Sequence, residues 1–328
     1  RGLAVMFTMM NSARLAVAMQ GVAVGERATQ AAFDFASERR QGRTRGSAGM
    51  ATIDTHPDVW RMLMTMRSTT TAARFIALST ADAIDRSRRC ATEDEREAAR
   101  IEADILTPIA KAYCTDSGIE MASFAIQIHG GMGYVEDTGI AQLWRDARVT
   151  SIYEGTNGIH AIDFLTRKLV GSGAPHFLSM IDRFEQTAAQ LAVSEPELAA
   201  VGDLLGNGCR MLRARLTDMM NLLQNREQDA LCVATPFLRL AALVTGGCLM
   251  ARAVVARAED PELRSSLDAA LRFFALFVLS DTVSISNSIV NLRRFGRNGE
   301  TMMPDVVRQA PEAGVYETKP RHQLGEKA

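Results

Sequence analysis

Residues 92–133 read TEDEREAARIEADILTPIAKAYCTDSGIEMASFAIQIHGGMG, and this stretch decides the fold. Thr92 followed three residues later by Glu95 is a capping box, which opens a helix by satisfying two of its unpaired N–H groups. Apolar residues then recur at helical spacing as far as Ile128. Pro108 is expected to kink or break this helix, since it lacks a backbone N–H and its ring crowds the preceding turn. Gly130-Gly131-Met132-Gly133 ends it abruptly.

The pattern extends in both directions. Upstream, residues 3–40 read as one very long helix with Met6, Met10, Ala13, Val17, Val24, Ala31 and Phe35 on apolar positions. Residues 42–54 form the first clear loop. Pro57, after Asp54-Thr55-His56, sits in the first turn of a second helix that runs to about Arg88. Downstream, a short helix over 139–147 leads through Ile152-Tyr153 to another that starts at Gly155-Thr156 and ends near Leu169. Four or five antiparallel helices are enough for a complete bundle core.

The predicted fold is all-α: an antiparallel helical bundle followed by a second helical domain. The bundle takes residues 1–169, a linker by composition takes 170–174, and the second helical domain takes 175–328. Its helical patterns cover 176–192, 196–224, 226–258 and 261–295. Asp260-Pro261 opens the last of them, Gly296 stops it, and 297–328 read as a polar tail.

Composition narrows the function. Of 328 residues, 47% are hydrophobic and 23% charged, which excludes a disordered or collagen-like chain. Lys plus Arg number 37 against 38 Asp plus Glu, so no single-sign field exists to bind nucleic acid by charge. Cys90, Cys114, Cys209, Cys232 and Cys248 form no CxxC pair. An odd count in a long chain fits buried free thiols and a cytoplasmic setting better than a disulfide framework. Leu231–Val255 and Leu267–Leu279 are interrupted by Arg239, Arg252 and Arg272. Neither reaches about 18 uninterrupted apolar residues, so both are expected to be buried helices rather than membrane spans. The sequence opens at Arg1 with a helical pattern already running, as expected of part of a larger protein.

Two segments carry candidate chemistry. Gln127-Ile128-His129-Gly130-Gly131-Met132-Gly133-Tyr134 stops a helix at a glycine pair, which serves either as a plain cap or to let the backbone approach a ligand. Neither a Gly-Lys-Ser/Thr nor a preceding strand is present, so it is no P-loop and no dinucleotide fingerprint. In Ile152-Tyr153-Glu154-Gly155-Thr156-Asn157-Gly158, Glu154 sits just before a helix among apolar residues. It is either an acid favoured by the helix dipole or a carboxylate poised for proton abstraction. An apolar setting would desolvate it. His129 and His160 lie apart from any metal-ligand spacing, so structural roles and no metal site are expected.

Together the two segments, with Trp144-Arg145-Asp146-Ala147-Arg148 between them, resemble the acyl-CoA dehydrogenase family. Phe7–Arg14 and Ser37–Arg43 are similar to the opening helix of its C-terminal helical domain. His56-Pro57-Asp58-Val59 and Leu106–Cys114 are similar to its larger bacterial subgroup, which carries an extra helical region after the bundle. The resemblance covers residues 1–170 by motif and 171–328 by length and helical pattern. It implies that the N-terminal helical domain and middle β-domain of the family are absent from this sequence.

The resemblance implies FAD-dependent oxidation of acyl-CoA thioesters to trans-2-enoyl-CoA, with Glu154 as the catalytic base. It implies FAD contacts from Gln127, Gly130, Gly131 and Thr156, and from Arg39 across a subunit contact. It places Gly155, Asn11 and Arg14 on the substrate side, although Asn11 stands where the family usually has Asp, and Gly158 where Gln is common. It further implies a homo-oligomer and an electron-transfer flavoprotein or similar acceptor as partner. The alternative is a helical oligomerisation module that is inactive as it stands.

Overall fold

A computed structural model describes residues 2–44, 49–194, 196–256 and 260–295. Among them are twelve α-helices: α1 (Gly2–Glu38), α2 (Pro57–Arg89), α3 (Glu93–His129), α4 (Gly131–Tyr134), α5 (Ile140–Thr150), α6 (Asn157–Asp163), α7 (Gly173–Ser194), α8 (Ala199–Asn225), α9 (Glu227–Cys232), α10 (Ala234–Val255), α11 (Pro261–Phe273) and α12 (Asp281–Phe295). No strand occurs among the described residues; an isolated bridge between Arg40 and Thr52 closes the first loop. Gly296 and the tail over 297–328 lie outside the described residues.

Helices α1, α2 and α3 run up, down and up. Arg74 reaches Glu26 at 2.6 Å and Thr70 meets Thr29, so α2 is antiparallel to α1. Arg86 pairs with Glu102 at 3.3 Å and Cys114 with the Ala73 carbonyl, so α2 is antiparallel to α3 as well. Asn11 pairs with Asp104, and Phe35 stacks on His129, so α1 and α3 are parallel neighbours in constant register.

The capping box is formed as read. The Thr92 hydroxyl accepts from the Glu95 N–H at 3.2 Å, and the Glu95 carboxylate accepts from the Thr92 N–H at 3.1 Å. Pro108, however, does not break α3, which is continuous from Glu93 to His129. The proline costs roughly 3 kcal/mol. It lies in a turn whose Ile105, Leu106 and Ile109 are at most 2% exposed. Each contributes about 1.5–3 kcal/mol by burial, so packing wins over the local penalty.

The bundle's fourth member is a broken helix. Helices α5 and α6 run back in one direction, from Ile140 near Ile128 at one end to Lys168 beside Asp104 at the other. Residues 151–156 interrupt them halfway. After α6 the chain makes one π-helical turn, Phe164–Lys168, with the Leu169 N–H donating to the Phe164 carbonyl.

The later helices pack on the same core. One hydrophobic cluster runs from Val22, Ile76 and Ile109 to Phe177, Leu205, Phe237 and Leu271. Its axis is α10, whose residues from Leu240 to Ala251 are all buried. Helix α10 is long and apolar enough to cross a membrane, but 78% of its most apolar window is buried in the protein, as in a core helix. The stretch Pro261–Phe295 passes the same length and composition test with 39% buried; a π turn at Phe274–Val278 and a turn at Ser280 divide it. The pattern over 226–258 is likewise split, at Val233. The five cysteines are free; Cys114, Cys209 and Cys248 are buried as expected, whereas Cys90 is half-buried and Cys232 is exposed.

Candidate functional site

The break in the fourth helix is the candidate site. Interrupting a helix in the middle of a bundle strands backbone groups that need partners. Here the bundle supplies them from buried side chains. Lys111 of α3, with no solvent exposure, donates from Nζ to the Gly155 carbonyl at 2.8 Å and to Asn157 Oδ1 at 2.9 Å. Asn157 Nδ2 in turn donates to Thr115 Oγ1 at 3.0 Å and to Asp116 Oδ1 at 2.7 Å. His160 of α6, also fully buried, faces the Glu154 carbonyl with Nε2 at 3.1 Å and therefore carries the proton on that nitrogen. The Tyr153 hydroxyl donates to Gln20 of α1, and the Asn157 N–H donates to the Ser151 carbonyl.

This framework fixes Glu154 in an uncommon backbone state. Its φ is 55°, and it is the one non-glycine residue with positive φ among the described residues. Such conformations cost about 1–2 kcal/mol outside glycine and concentrate at functional sites. Gly155 follows at φ 93°, with a hypothetical Cβ 3.3 Å from His160 Nε2, so only glycine suits it. Among the described residues, no hydrogen bond takes up the Glu154 N–H. The Glu154 side chain is exposed in this chain, not desolvated as its apolar neighbours in sequence suggest. Thr156 caps α6 without using its hydroxyl on the helix and is exposed.

The electrostatics follow from burial. Desolvation pushes the Lys111 ammonium down to about 8; Arg14 pushes the same way, while Asp116 and Glu154 oppose it. Desolvation also pushes His160 down to about 4, helped by Arg14 and Lys111. His160 is thus neutral at pH 7.

The other expected residues fall in two further places. Phe35 and His129 stack at 4.3 Å between centroids, which brings the end of α1 to the end of α3. Arg39, Gln127, Gly130 and Gly131 are all exposed at that end of the bundle. Gly130 has φ 61°, and neither Gly130 nor Gly131 has an atom within 4 Å of a hypothetical Cβ, so the turn is open to a ligand. His129 is buried and donates from Nδ1 to the Ala125 carbonyl at 2.7 Å, a structural role. Gln127 lies sixteen positions beyond Lys111 on α3, roughly 24 Å along the axis at 1.5 Å per residue. One chain therefore does not bring the Gly-Gly turn and Glu154 together.

Asn11 and Arg14 occupy the opposite end. Asn11 donates to Asp104 at 3.0 Å, and buried Arg14 lies 3.6 Å from Asp163. Both line a cleft of about 340 Å³ with Arg88, Arg100 and Lys168. A larger cavity, about 520 Å³, lies between α3, α10 and α12; Asn157 and Asp116 line it, and Glu154 does not. Among the described residues, no three His, Cys, Asp or Glu side chains group as for a metal ion.

Lys111 is the residue of this framework that the sequence motifs did not single out. Its signal was available: it is the one charged residue in the run Ile105–Cys114, and a lysine in an apolar run must find buried partners.

Comparison with known proteins fits this geometry. Residues 1–169 match the family described as acyl-CoA dehydrogenase, C-terminal domain, and residues 177–294 match that described as acetyl-CoA dehydrogenase C-terminal like. The chain is 37% identical over 286 residues to 3-methylmercaptopropionyl-CoA dehydrogenase of Ruegeria pomeroyi, covering 85% of this chain and 48% of that protein. It is 34% identical over 216 residues to a butyryl-CoA dehydrogenase of Syntrophomonas wolfei, covering 62% and 35%. An acyl-CoA dehydrogenase of Bacillus anthracis complexed with FAD shares the fold, with a TM-score of 0.70 at 17% identity over 88% of this chain and 50% of that one. The chain thus spans about half the length of the relatives it matches, or less. It carries the C-terminal helical domain and the helical region beyond it, and it belongs to the acyl-CoA dehydrogenase family.

Proposed function

We propose that this chain is the C-terminal part of an FAD-dependent acyl-CoA dehydrogenase, in which Glu154 removes the α proton of an acyl-CoA thioester to give the trans-2-enoyl-CoA. The observation that carries this reading is the strained, left-handed backbone of Glu154, built into a helix break by buried partners and leaving its N–H unused. An α C–H is too weak an acid for a carboxylate unless charge developing on the thioester oxygen is stabilised. The free Glu154 N–H is a donor for that oxygen, and Gly155 keeps the approach clear of side-chain atoms. FAD, when bound, supplies the acceptor for the hydride that leaves the β carbon.

The residues present fit that cofactor. The open turn at Gly130-Gly131, the exposed Gln127 amide and the Arg39 guanidinium share one end of the bundle and offer a close backbone approach with a cation beside it. The unused Thr156 hydroxyl offers a second contact near Glu154. The distance between these two groups along α3 supports a site completed by a second copy, with Arg39 and the Gly-Gly turn serving the partner's Glu154 loop; a homo-oligomer follows. An electron-transfer flavoprotein or similar acceptor would take the electrons onward.

The test is anaerobic mixing of the purified, flavin-loaded product of the complete gene with acyl-CoA substrates. Bleaching of the oxidised flavin is expected, and Glu154→Gln abolishes it; normal bleaching in that variant removes the base assignment. One observation favours the alternative for the chain on its own: Glu154 is exposed here. A purified chain over 1–328 that is colourless and inactive while self-associating supports the oligomerisation module.

A further inference from the structure

We infer that Lys111 is a positioning residue for Glu154: its ammonium occupies the gap in the fourth helix, binds the Gly155 carbonyl and Asn157 Oδ1, and so holds the loop in the conformation that presents the carboxylate. The inference rests on the reading of Glu154 as the base.

A left-handed glutamate followed by a glycine at φ 93° does not hold itself, because the glutamate has more comfortable states and the glycine has many equivalent ones. Something must bind the carbonyls that the break releases. Two buried groups do so. His160 takes the Glu154 carbonyl and Lys111 takes the Gly155 carbonyl. His160 belongs to α6, which follows directly on the loop, whereas Lys111 belongs to α3, a continuous helix of 37 residues. Lys111 therefore ties the loop to α3, as Tyr153 ties it to α1, and Asn157 extends the α3 tie to Thr115 and Asp116.

A purely structural role would be poorly served by lysine. Burying an ammonium is costly, and an amide or hydroxyl could bind one carbonyl at less expense. The charge has a use if it also acts on the carboxylate held one residue away. The charged and titratable groups facing Lys111 are Arg14 from α1, Asp116 from α3, Glu154 from the break and His160 from α6. His160 is neutral at pH 7, Asp116 is engaged by Asn157, and Arg14 pairs with Asp163. Asp116 and Glu154 are the acids that face the Lys111 charge, and of the two only the Glu154 carboxylate carries no hydrogen bond among the described residues.

The test uses the flavin-loaded enzyme with Lys111→Met, which loses both donor and charge, and Lys111→Gln, which keeps a donor but loses the charge. In Lys111→Met, flavin reduction at saturating acyl-CoA is expected to fall about 100-fold, the effect of a misplaced reacting group, with little change in KM. Lys111→Gln should recover part of this loss. In both, the decline of the wild-type rate above a pH of about 8, where Lys111 gives up its proton, should vanish; a merely structural residue would lower the rate without moving the profile. Flavin reduction at the wild-type rate in Lys111→Met, or an unchanged pH profile in Lys111→Gln, overturns the inference. If Lys111→Met does not fold, the Lys111→Gln profile decides. Glu154→Gln, run alongside, separates the two readings: if it is inactive while the Lys111 variants are normal, only the positioning role falls, and if it is active, the base assignment falls first.

Discussion

Gly21 and Gly118 meet backbone to backbone where α1 lies against α3. A Cβ on Gly118 would sit 2.6 Å from the Gly21 carbonyl oxygen, and one on Gly21 would sit 2.3 Å from that of Cys114. Both glycines lie in helix interiors, where alanine gains about 1 kcal/mol by propensity. The contact is with backbone, so nothing flexible can yield, and overpacking costs typically 1–3 kcal/mol. Gly118→Ala is therefore expected to destabilise the chain by up to about 2 kcal/mol net. Urea unfolding measures it, and a stabilised variant would mean that the two helices can part at no cost.

Thr92→Ala provides the contrast. The capping box is exposed and local, and the substitution removes the hydroxyl that accepts from the Glu95 N–H while leaving the residue-92 N–H that donates to the Glu95 carboxylate, with no loss of packing. About 1 kcal/mol is expected. Loss of helicity confined to the start of α3, followed by amide exchange, would locate the effect; protection lost throughout α3 would contradict a local cap.

The bundle was legible because its long helices announce themselves at both ends: Thr92 and Glu95 open α3, Gly130 closes it, and Pro57 opens α2. The continuity across Pro108 was not, because it depends on how deeply Ile105, Leu106 and Ile109 are buried by helices far away in sequence. In the same way, the motif around Glu154 marked a site but not its support. Lys111 and His160 reach that loop from 43 residues before it and six after it, and only the tertiary fold shows that their partners are two consecutive carbonyls. The dry setting expected of Glu154 is not formed by this chain on its own, since its apolar neighbour Ile152 is itself exposed.

His160 makes stability fall in mild acid. Its imidazole sits at about 4 in the folded protein against an ordinary value of 6.5, chiefly through desolvation. Below pH 6.5 the unfolded chain binds a proton that the folded one refuses, so stability is lost as pH drops from about 6.5 to about 4. The whole window is worth about 3 kcal/mol at 1.36 kcal/mol per pH unit. Unfolding free energies from urea titrations at pH 7 and pH 5 should differ by a fraction of that in the wild type, and less in His160→Gln. An equal drop in both would assign the acid sensitivity to the carboxylates instead.

Glu154 itself offers the sharpest separation of folding from function. Its φ of 55° is a cost of about 1 kcal/mol that glycine does not bear. Glycine also gives the unfolded chain more freedom, which takes back about 0.4–1 kcal/mol. Glu154→Gly should therefore leave stability unchanged or raise it by a few tenths of a kcal/mol, with the Lys111 and His160 contacts to the loop intact. The same variant has no carboxylate to receive a proton, so acyl-CoA should no longer bleach the flavin. A residue kept only for structure would show the opposite pattern, losing stability while sparing turnover. Thermal melts and anaerobic flavin reduction on one preparation distinguish the two, because the strain at this position is explained only if the side chain it presents is used.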